Sequence, residues 1–297
     1  MKRIITLLTL ALLLAPLSQS AFAANAQDEE LLLVMTFNMR VDVKSDGLNQ
    51  WDARKDCVGI FLQNIGPDLI GAQEVLKHQL DDLLERLPGY RYVGVGRADG
   101  KEAGEYAPIL YRTDRVELVE SGHFWLSETP KVPGSKGWDA ACERVATWAI
   151  FKDKENGKLF YMLNTHLDHK GALARENSVE MIRREAQKYF RKYPVVVTGD
   201  FNLPPTSEVM EKLTDPTEPG FLFDSYLWSF MGSEGEEWTY HGFGTVPMEK
   251  RQRLDYILVQ GDWAFTSSYT AYTEEEYPER VYLSDHTPVS LFLIWKM

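Results

Sequence analysis

The chain has 297 residues, of which 44% are hydrophobic and 26% are charged, proportions that exclude a disordered or fibrous class of protein. The formal net charge of −12 offers no basic stripe for duplex binding and argues against a stable complex with DNA or RNA. It does not exclude a phosphate-bearing substrate, because a bound divalent metal reverses the local sign of the charge.

The N-terminus carries the pattern of a secretory signal peptide. Lys2 and Arg3 form a short positive segment, an apolar run follows at 4–16, and Ala21-Phe22-Ala23 supplies the small residues of a signal-peptidase site. We therefore predict a signal peptide at 1–23 and a secreted or periplasmic protein, with an uncleaved N-terminal anchor as the alternative. No other apolar stretch approaches spanning length, so no membrane span is expected in the mature chain.

Hydrophobic periodicity and turn residues predict the elements in chain order. Helices with one apolar face are predicted at 52–65, 78–87, 172–190 and 207–213. Asn156-Gly157 predicts a hairpin between two of the strands. Strands are predicted at 31–38, 67–73, 90–95, 107–111, 116–125, 146–151, 159–165, 195–199, 254–260 and 287–295.

Several of these strands are apolar throughout, which is typical of strands buried on both faces. Two packed sheets with helices outside them, in a layered α/β arrangement, accommodate this pattern. No repeat or low-complexity linker interrupts residues 24–297, so they are interpreted as one domain. Cys57 and Cys142 lack the spacing of a zinc site and are either one disulfide or two buried thiols.

Polar side chains follow the ends of the predicted apolar strands, where a rigid scaffold usually carries its catalytic groups. Each residue alone has an ordinary alternative. Asn38 would also suit a turn, and Glu74 would suit the start of the next helix. His166 would also fit as a satisfied, half-buried histidine, and Asp200 with Asn202 would fit as a turn.

One pair of residues near the C-terminus indicates a catalytic role more directly. Asp255 lies inside an apolar strand and needs a partner, because an unpaired buried carboxylate is costly. His286, in Ser284-Asp285-His286, is the natural candidate. A buried aspartate holds a histidine in one tautomer and stabilises its cation.

Taken in order, Asn, Gln-Glu, Asn-x-His, Gly-Asp-x-Asn, Asp-Tyr-Ile and Ser-Asp-His resemble the signature of the endonuclease/exonuclease/phosphatase superfamily. The resemblance covers about 31–295. It implies a four-layer α/β/β/α sandwich, in which two central mixed β-sheets are flanked by helices, with the active site at one edge. The activity it implies is metal-dependent hydrolysis of phosphoesters.

The resemblance also implies roles for individual residues. The metal ligands would be Asn38, Glu74 and Asp285. Catalysis would fall to His166 at the phosphoryl oxygens, to Asp200 and Asn202 at the attacking water, and to His286 held by Asp255. Oxygen ligands suit Mg²⁺, or Mn²⁺, better than Zn²⁺. Either Asp200 or His286 would accept the proton of the water.

Four further residues are expected to bind substrate. Tyr111 falls near the phosphate-contacting tyrosine of the family, and Arg144 has the planar fork that suits a phosphate. Trp138 would stack on a sugar or base ring, with a core position as the alternative. His241 would form another wall of the pocket. The loop that contains Trp138 and Arg144 resembles a secreted bacterial subgroup of the superfamily.

We therefore expect a secreted Mg²⁺-dependent phosphoesterase that cleaves a phosphodiester or phosphomonoester of a small or lipid-linked substrate and acts as a monomer. A non-specific secreted nuclease is the first alternative, since such enzymes can also be acidic. A non-catalytic binding module on the same fold is the second, and the intact set of polar residues argues against it.

Overall fold

The computed structural model of the chain describes residues 31–228, 233–261, 263–265, 269–271 and 282–295. The predicted signal peptide at 1–23 lies outside the described residues, so its cleavage stays a prediction. Within the described ranges, no helix is both long enough and apolar enough to cross a membrane.

The elements match the predicted order closely, with shifts of a few residues at their ends and several short strands that had no strong pattern. The helices are α1 (Trp51–Ile65), α2 (Lys77–Arg86), α3 (Ala172–Phe190), α4 (Glu208–Thr214) and α5 (Ser225–Trp228), with 3₁₀ turns at Lys44–Asn49 and Met248–Lys250. The strands are β1 (Leu31–Asn38), β2 (Leu69–Gln73), β3 (Tyr90–Val93), β4 (Ile109–Arg112), β5 (Val116–Trp125), β6 (Val145–Asp153), β7 (Leu159–His166), β8 (Val195–Asp200), β9 (Phe223–Asp224), β10 (Ser233–Gly235), β11 (Asp255–Gln260), β12 (Trp263–Phe265), β13 (Tyr269–Ala271) and β14 (Val289–Trp295).

The strands form two mixed sheets. The first has the order β10-β13-β14-β1-β2-β4-β3, with β12 paired to β14, and the second has the order β5-β6-β7-β8-β11-β9. Parallel pairs, such as β1 with β2 and β7 with β8, lie beside antiparallel pairs, such as β8 with β11. The predicted fold class, a four-layer α/β/β/α sandwich, is confirmed.

Alternation along the strands divides the apolar side chains between the layers, because successive residues of a strand face opposite sides of the sheet. Leu32 and Val34 of β1 face the second sheet and pack with Ile257 and Val259 of β11. The opposite face of the first sheet is covered by α1 and α2. The outer face of the second sheet is covered by α3 and α4.

Helix ends follow the local sequence. Helix α1 ends at Gly66, which adopts the left-handed conformation (φ 63°) that glycine allows without strain, and Pro67 prevents continuation. Ser207 caps α4 by accepting a hydrogen bond from the Met210 N–H (3.3 Å). Cys57 on α1 and Cys142 in the loop before β6 are not joined by a disulfide.

Candidate active site

Strand register brings the polar residues to one edge of the sandwich. Asn38 pairs with Gln73 at the ends of the parallel strands β1 and β2. In the second sheet, Asp200 at the end of β8 is flanked by His166 on β7 and Asp255 on β11. Because β1, β2, β7 and β8 end at this edge and the antiparallel strand β11 begins there, residues distant in sequence become neighbours.

Asp200 lies at the centre of this cluster. Asn38 reaches across from the other sheet, and its Nδ2 donates to Asp200 Oδ2 (3.0 Å). The same oxygen lies 3.5 Å from His166 Nε2 and 3.7 Å from His286 Nε2. Complete burial, with the nearby carboxylate of Asp255, raises the pKa of Asp200 and makes it a better proton acceptor than an exposed aspartate.

One side of the cluster is an acidic wall, formed by Asp255 and His286. His286 Nδ1 lies 2.8 Å from Asp255 Oδ2, and both side chains are buried. Burial opposes charge on the imidazole, but the carboxylates of Asp255 and Asp200 outweigh it and raise the pKa of His286. His286 is therefore a positively charged imidazolium at neutral pH and presents its Nε2–H towards Asp200.

The opposite side is a basic wall, formed by His166, Arg144 and Arg97. Burial, followed by the positive charges of Arg144 and Arg97, holds the pKa of His166 well below its usual range. His166 Nε2 accepts from Asn202 Nδ2 (3.0 Å), which also donates to the carbonyl of Leu167 (3.0 Å). His166 is therefore neutral at pH 7, unlike His286.

Glu74 and Asp285 face each other beside these walls. The Nη1 of Arg40 lies 3.9 Å from Glu74 Oε2 and 3.7 Å from Asp285 Oδ2, so one cationic group sits between two carboxylates. Burial raises the pKa of Asp285. Burial also acts on Glu74, but the Val41 N–H, which donates at 3.1 Å, and neighbouring charges outweigh it and lower the pKa of Glu74.

This donor set fits a hard divalent cation. The carboxylates of Glu74 and Asp285 already accommodate a positive group between them, and oxygen ligands match the preference of Mg²⁺. Glu74, His166 and Asp200 also each present a ligand atom within 4.8 Å of the other two. Asn38 Oδ1 accepts a hydrogen bond from Arg40 N (3.0 Å), and its role as a metal ligand stays a prediction. Its Nδ2 then faces both Glu74 (3.1 Å) and Asp200, so Asn38 bridges two carboxylates.

Strained backbone conformations occur in the same cluster of polar residues. Glu74 (φ 61°), Asn202 (φ 50°) and Arg40 (φ 59°) adopt the left-handed conformation without being glycine. Such residues cost about 1–2 kcal/mol each and concentrate at functional sites. At Glu74 the conformation turns the carboxylate, immediately after β2, towards Asn38.

Two of the predicted substrate-binding residues do not reach the site. Tyr111 pairs with Leu69, at the start of β2, whereas the site lies at the end of that strand; its ring packs on Phe151 in the core (centroids 5.1 Å apart). His241 is only 2% exposed, and burial lowers its pKa to about 3. Both side chains are buried here, and their assignment to substrate binding stays a prediction, because local motifs do not show which way a side chain packs.

His241 instead supports the acidic wall from beneath. Its backbone N–H donates to the carbonyl of Asp285 (3.0 Å), and its ring packs between Trp238 and Tyr282. Of the remaining predicted residues, Arg144 lies beside His166 in a shared pocket. Trp138 is half-buried and has a positive backbone φ of 47°. Its backbone N–H donates to the Glu128 carboxylate (3.2 Å).

Sequence reasoning missed Arg54, which is completely buried on α1. Its guanidinium donates to the carbonyls of Met39 (3.0 Å) and Leu283 (2.5 Å), and so ties the loop after β1 to the loop that carries Asp285 and His286. Ser284 adds a second tie, because its hydroxyl donates to the carbonyl of Asn38 (2.6 Å). A charged residue on the apolar face of a predicted helix was the available signal.

Comparisons with known proteins agree with this geometry. Residues 35–286 match the model of the endonuclease/exonuclease/phosphatase family. A Bacteroides vulgatus structure described by that family name is 42% identical, with a TM-score of 0.84 over 90% of this chain and 99% of that one. The Bacteroides thetaiotaomicron mannosyl-6-phosphatase Bt3783 is 35% identical, with a TM-score of 0.79 over 89% of this chain and 100% of that one.

A more distant curated relative is an uncharacterized protein of Acanthamoeba polyphaga mimivirus. It is 27% identical over 164 residues, which cover 52% of this chain and 59% of the relative, so the chain spans less than two thirds of that protein. From the family match, the full-length structural similarity and the polar cluster together, the chain belongs to the endonuclease/exonuclease/phosphatase family, whose members hydrolyse phosphoester bonds.

Proposed function

We propose that this protein is a secreted, Mg²⁺-dependent phosphoesterase that acts on a small or lipid-linked phosphoester. The observation that carries the proposal is the convergence of Glu74 and Asp285 with Asp200, His166 and His286 at one edge of the sandwich. Secretion rests on the N-terminal sequence. The net charge of −12 and the similarity to a sugar phosphatase favour a small substrate over a polynucleotide.

Glu74 and Asp285 would hold the metal, and Asn38 would orient Glu74 through the 3.1 Å hydrogen bond. A bound Mg²⁺ would neutralise charge on a phosphoryl oxygen. Mn²⁺ would satisfy the same oxygen donors. The two Arg40 contacts, both longer than a hydrogen bond, would yield when a divalent cation binds.

The remaining residues would handle the water and the phosphoryl group. Asp200 would accept a proton from the attacking water, because its pKa is raised whereas His286 is already protonated. His286 would donate to a phosphoryl oxygen from its Nε2, with Asp255 fixing the tautomer. Asn202 would hold both His166 and Asp200, since it bonds each of them.

The first test is hydrolysis of p-nitrophenyl phosphate and bis-p-nitrophenyl phosphate by the mature chain with Mg²⁺, Mn²⁺ or EDTA. We expect release that requires the metal and that is absent in Asp200→Ala, because Asp200 combines a raised pKa with proximity to both histidines. Release that persists in EDTA or in Asp200→Ala would refute the proposal. Rapid degradation of plasmid DNA would instead favour the nuclease.

Metal binding is tested separately by calorimetry on Glu74→Ala and Asp285→Ala, with exposed Glu117→Ala as the matched control. We expect Mg²⁺ affinity to fall more than about tenfold in the first two, since loss of even an outer-sphere partner often costs that much. The control should bind as the unmodified chain does. Equal affinity in all four proteins would remove Glu74 and Asp285 from the metal site.

A further inference from the structure

A small pocket opens beside His166 on the basic wall. The pocket is open to solvent, and its lining includes Arg97, Glu105, Tyr106 and Arg144. Strand register explains the position: Ala146 pairs with Thr165, so the residues that precede Ala146 lie next to His166. Tyr106 bridges Val75, the residue after Glu74, which joins the pocket to the proposed metal site.

Arg144 is the unusual member of this lining. Its side chain is 5% exposed, yet among the described residues its Nε and Nη1 have no hydrogen-bond acceptor. The Nη2 lies 3.2 Å from His169 Nδ1, and the Nε lies 3.6 Å from the carboxylate of Asp168, beyond hydrogen-bond distance. Buried donors left without acceptors cost about 1–3 kcal/mol each, so this guanidinium is short of a partner.

Asp168 forms an ion pair with Arg144, but the neighbouring carboxylates supply no hydrogen bond to its Nε or Nη1. Asp168 already accepts backbone N–H groups from Lys170 (2.9 Å), Gly171 (2.7 Å) and Ala141 (3.0 Å), which hold its oxygens in place. Glu105 is engaged by Arg97 through two hydrogen bonds of 2.7 and 2.6 Å, so these two side chains largely neutralise each other. Among the described pocket residues, Arg144 is therefore the cation that keeps unused hydrogen-bond donors.

Phosphate esters differ in the charge that such a pocket would meet. A phosphomonoester carries nearly two negative charges at neutral pH and three terminal oxygens, whereas a phosphodiester carries one charge and two terminal oxygens. Glu74, Asp285 and Asp200 repel the additional charge, so a monoester needs more positive charge than a diester does. Among the described pocket residues, Arg144 supplies that charge together with unused donors.

We infer that the pocket binds the terminal oxygens of a phosphomonoester, with Arg144 as the group that selects monoesters over diesters. The inference rests on the proposed phosphoesterase activity and narrows its substrate class. In the reaction, a bond forms from the water oxygen to phosphorus and the bond from phosphorus to the ester oxygen breaks. Asp200 takes one proton of the water and passes it on to the departing ester oxygen, the other proton stays on the phosphate, and the products are the alcohol and inorganic phosphate.

The test compares kcat/KM for p-nitrophenyl phosphate and bis-p-nitrophenyl phosphate in the unmodified chain, Arg144→Met and Arg144→Lys. Methionine keeps much of the length of the side chain without charge or donors. We expect the unmodified chain to prefer the monoester and Arg144→Met to lose about 10- to 100-fold on it, the effect of one charged hydrogen bond. The diester rate should change less than about threefold, because its two terminal oxygens do not need Arg144. The kcat/KM of Arg144→Lys for the monoester should lie between those of the unmodified chain and Arg144→Met.

Arg112→Met is the matched control. It removes one positive charge from β4 at the opposite end of the strands, where Arg112 pairs with Tyr90, and should leave the ratio of the two rates unchanged. Circular dichroism checks folding. Because Arg144→Lys keeps the charge, a shift of its ratio away from the monoester supports the inference even where Arg144→Met does not fold.

Binding of inorganic phosphate gives a readout that does not depend on turnover. Phosphate should raise the melting temperature of the unmodified chain and of Arg112→Met, and should do so much less in the Arg144 variants. Equal losses on both esters, or a preference of the unmodified chain for the diester, would overturn the inference while leaving the phosphoesterase intact. Absence of metal-dependent hydrolysis of either ester would count against the proposed function. If phosphate also failed to raise the melting temperature, phosphate binding by the pocket would be contradicted as well.

Discussion

The two walls of the site place the same kind of side chain in opposite electrostatic surroundings. On the acidic wall, Asp255 and Asp200 raise the pKa of His286, whereas on the basic wall burial, Arg144 and Arg97 lower the pKa of His166. Both imidazoles lie within 3.7 Å of one oxygen of Asp200. The charged groups next to each histidine therefore decide whether its imidazole is neutral or positively charged.

The largest expected effect comes from removing the charge behind His286. Asp255→Asn should lower kcat by about 10³- to 10⁴-fold, as loss of the supporting aspartate does in a serine protease, because the tautomer and the cation of His286 are no longer held. The pKa of His286 should fall with it, since Asp255 is the strongest influence that raises it. NMR titration of the ring and steady-state kinetics give both values.

The matched variant on the other wall is Asn202→Ala, which removes the donor to His166 and leaves Asp255 in place. It should lower kcat without moving the pKa of His286. If Asp255→Asn remains as active as the unmodified chain while folded, the acidic wall has no part in catalysis.

An intermediate effect is expected from Arg54, which joins the loop after β1 to the loop that carries Asp285 and His286. Arg54→Met should lower the free energy of unfolding by about 3 kcal/mol, because the buried carbonyls of Met39 and Leu283 lose their donor. Urea unfolding measures the change. The Mg²⁺ concentration needed for half-maximal activity should rise as well, since Asp285 lies on one of these loops. An unchanged metal affinity would show that Arg54 is purely structural.

The smallest effect concerns His241, beneath the acidic wall. Its pKa of about 3 in the folded protein lies below the value of about 6.5 in an unfolded chain, so the unfolded chain binds the additional proton between these values. Stability should therefore fall as pH falls from about 6.5 towards 3. His241→Gln should remove about 1–2 kcal/mol of that acid sensitivity. Unfolding midpoints at pH 7.5 and pH 4.5 in both proteins measure it, and identical pH dependence would contradict the assignment.

Much of the architecture was predictable because long apolar strands and amphipathic helices have strong periodicity. Strand β1 and helix α3 were predicted at their observed bounds. The polar cluster was predictable for a different reason: each residue alone has an ordinary structural alternative, but the motifs taken in order match the pattern of the family. Their roles, however, stay predictions until the variants are measured.

Other features could not be predicted from local sequence. Tyr111 follows an apolar pair in the strand pattern, and only the sheet register shows that it faces the core at the far end. The ion pair of Arg97 with Glu105 depends on how a long loop folds back onto itself. Arg54 joins carbonyls of residues 39 and 283, and no short-range pattern reports on contacts across that separation.

The left-handed backbone at Glu74 has a consequence for how this chain responds to selection. Glycine at position 74 would relieve about 1–2 kcal/mol of strain, yet it would also delete a carboxylate that the proposed chemistry needs. Selection of a random library for thermostability alone should therefore enrich glycine at position 74 and yield stable but inactive proteins. Substitutions that make the enzyme more thermostable without loss of turnover should instead lie away from the edge of the sandwich that carries the site.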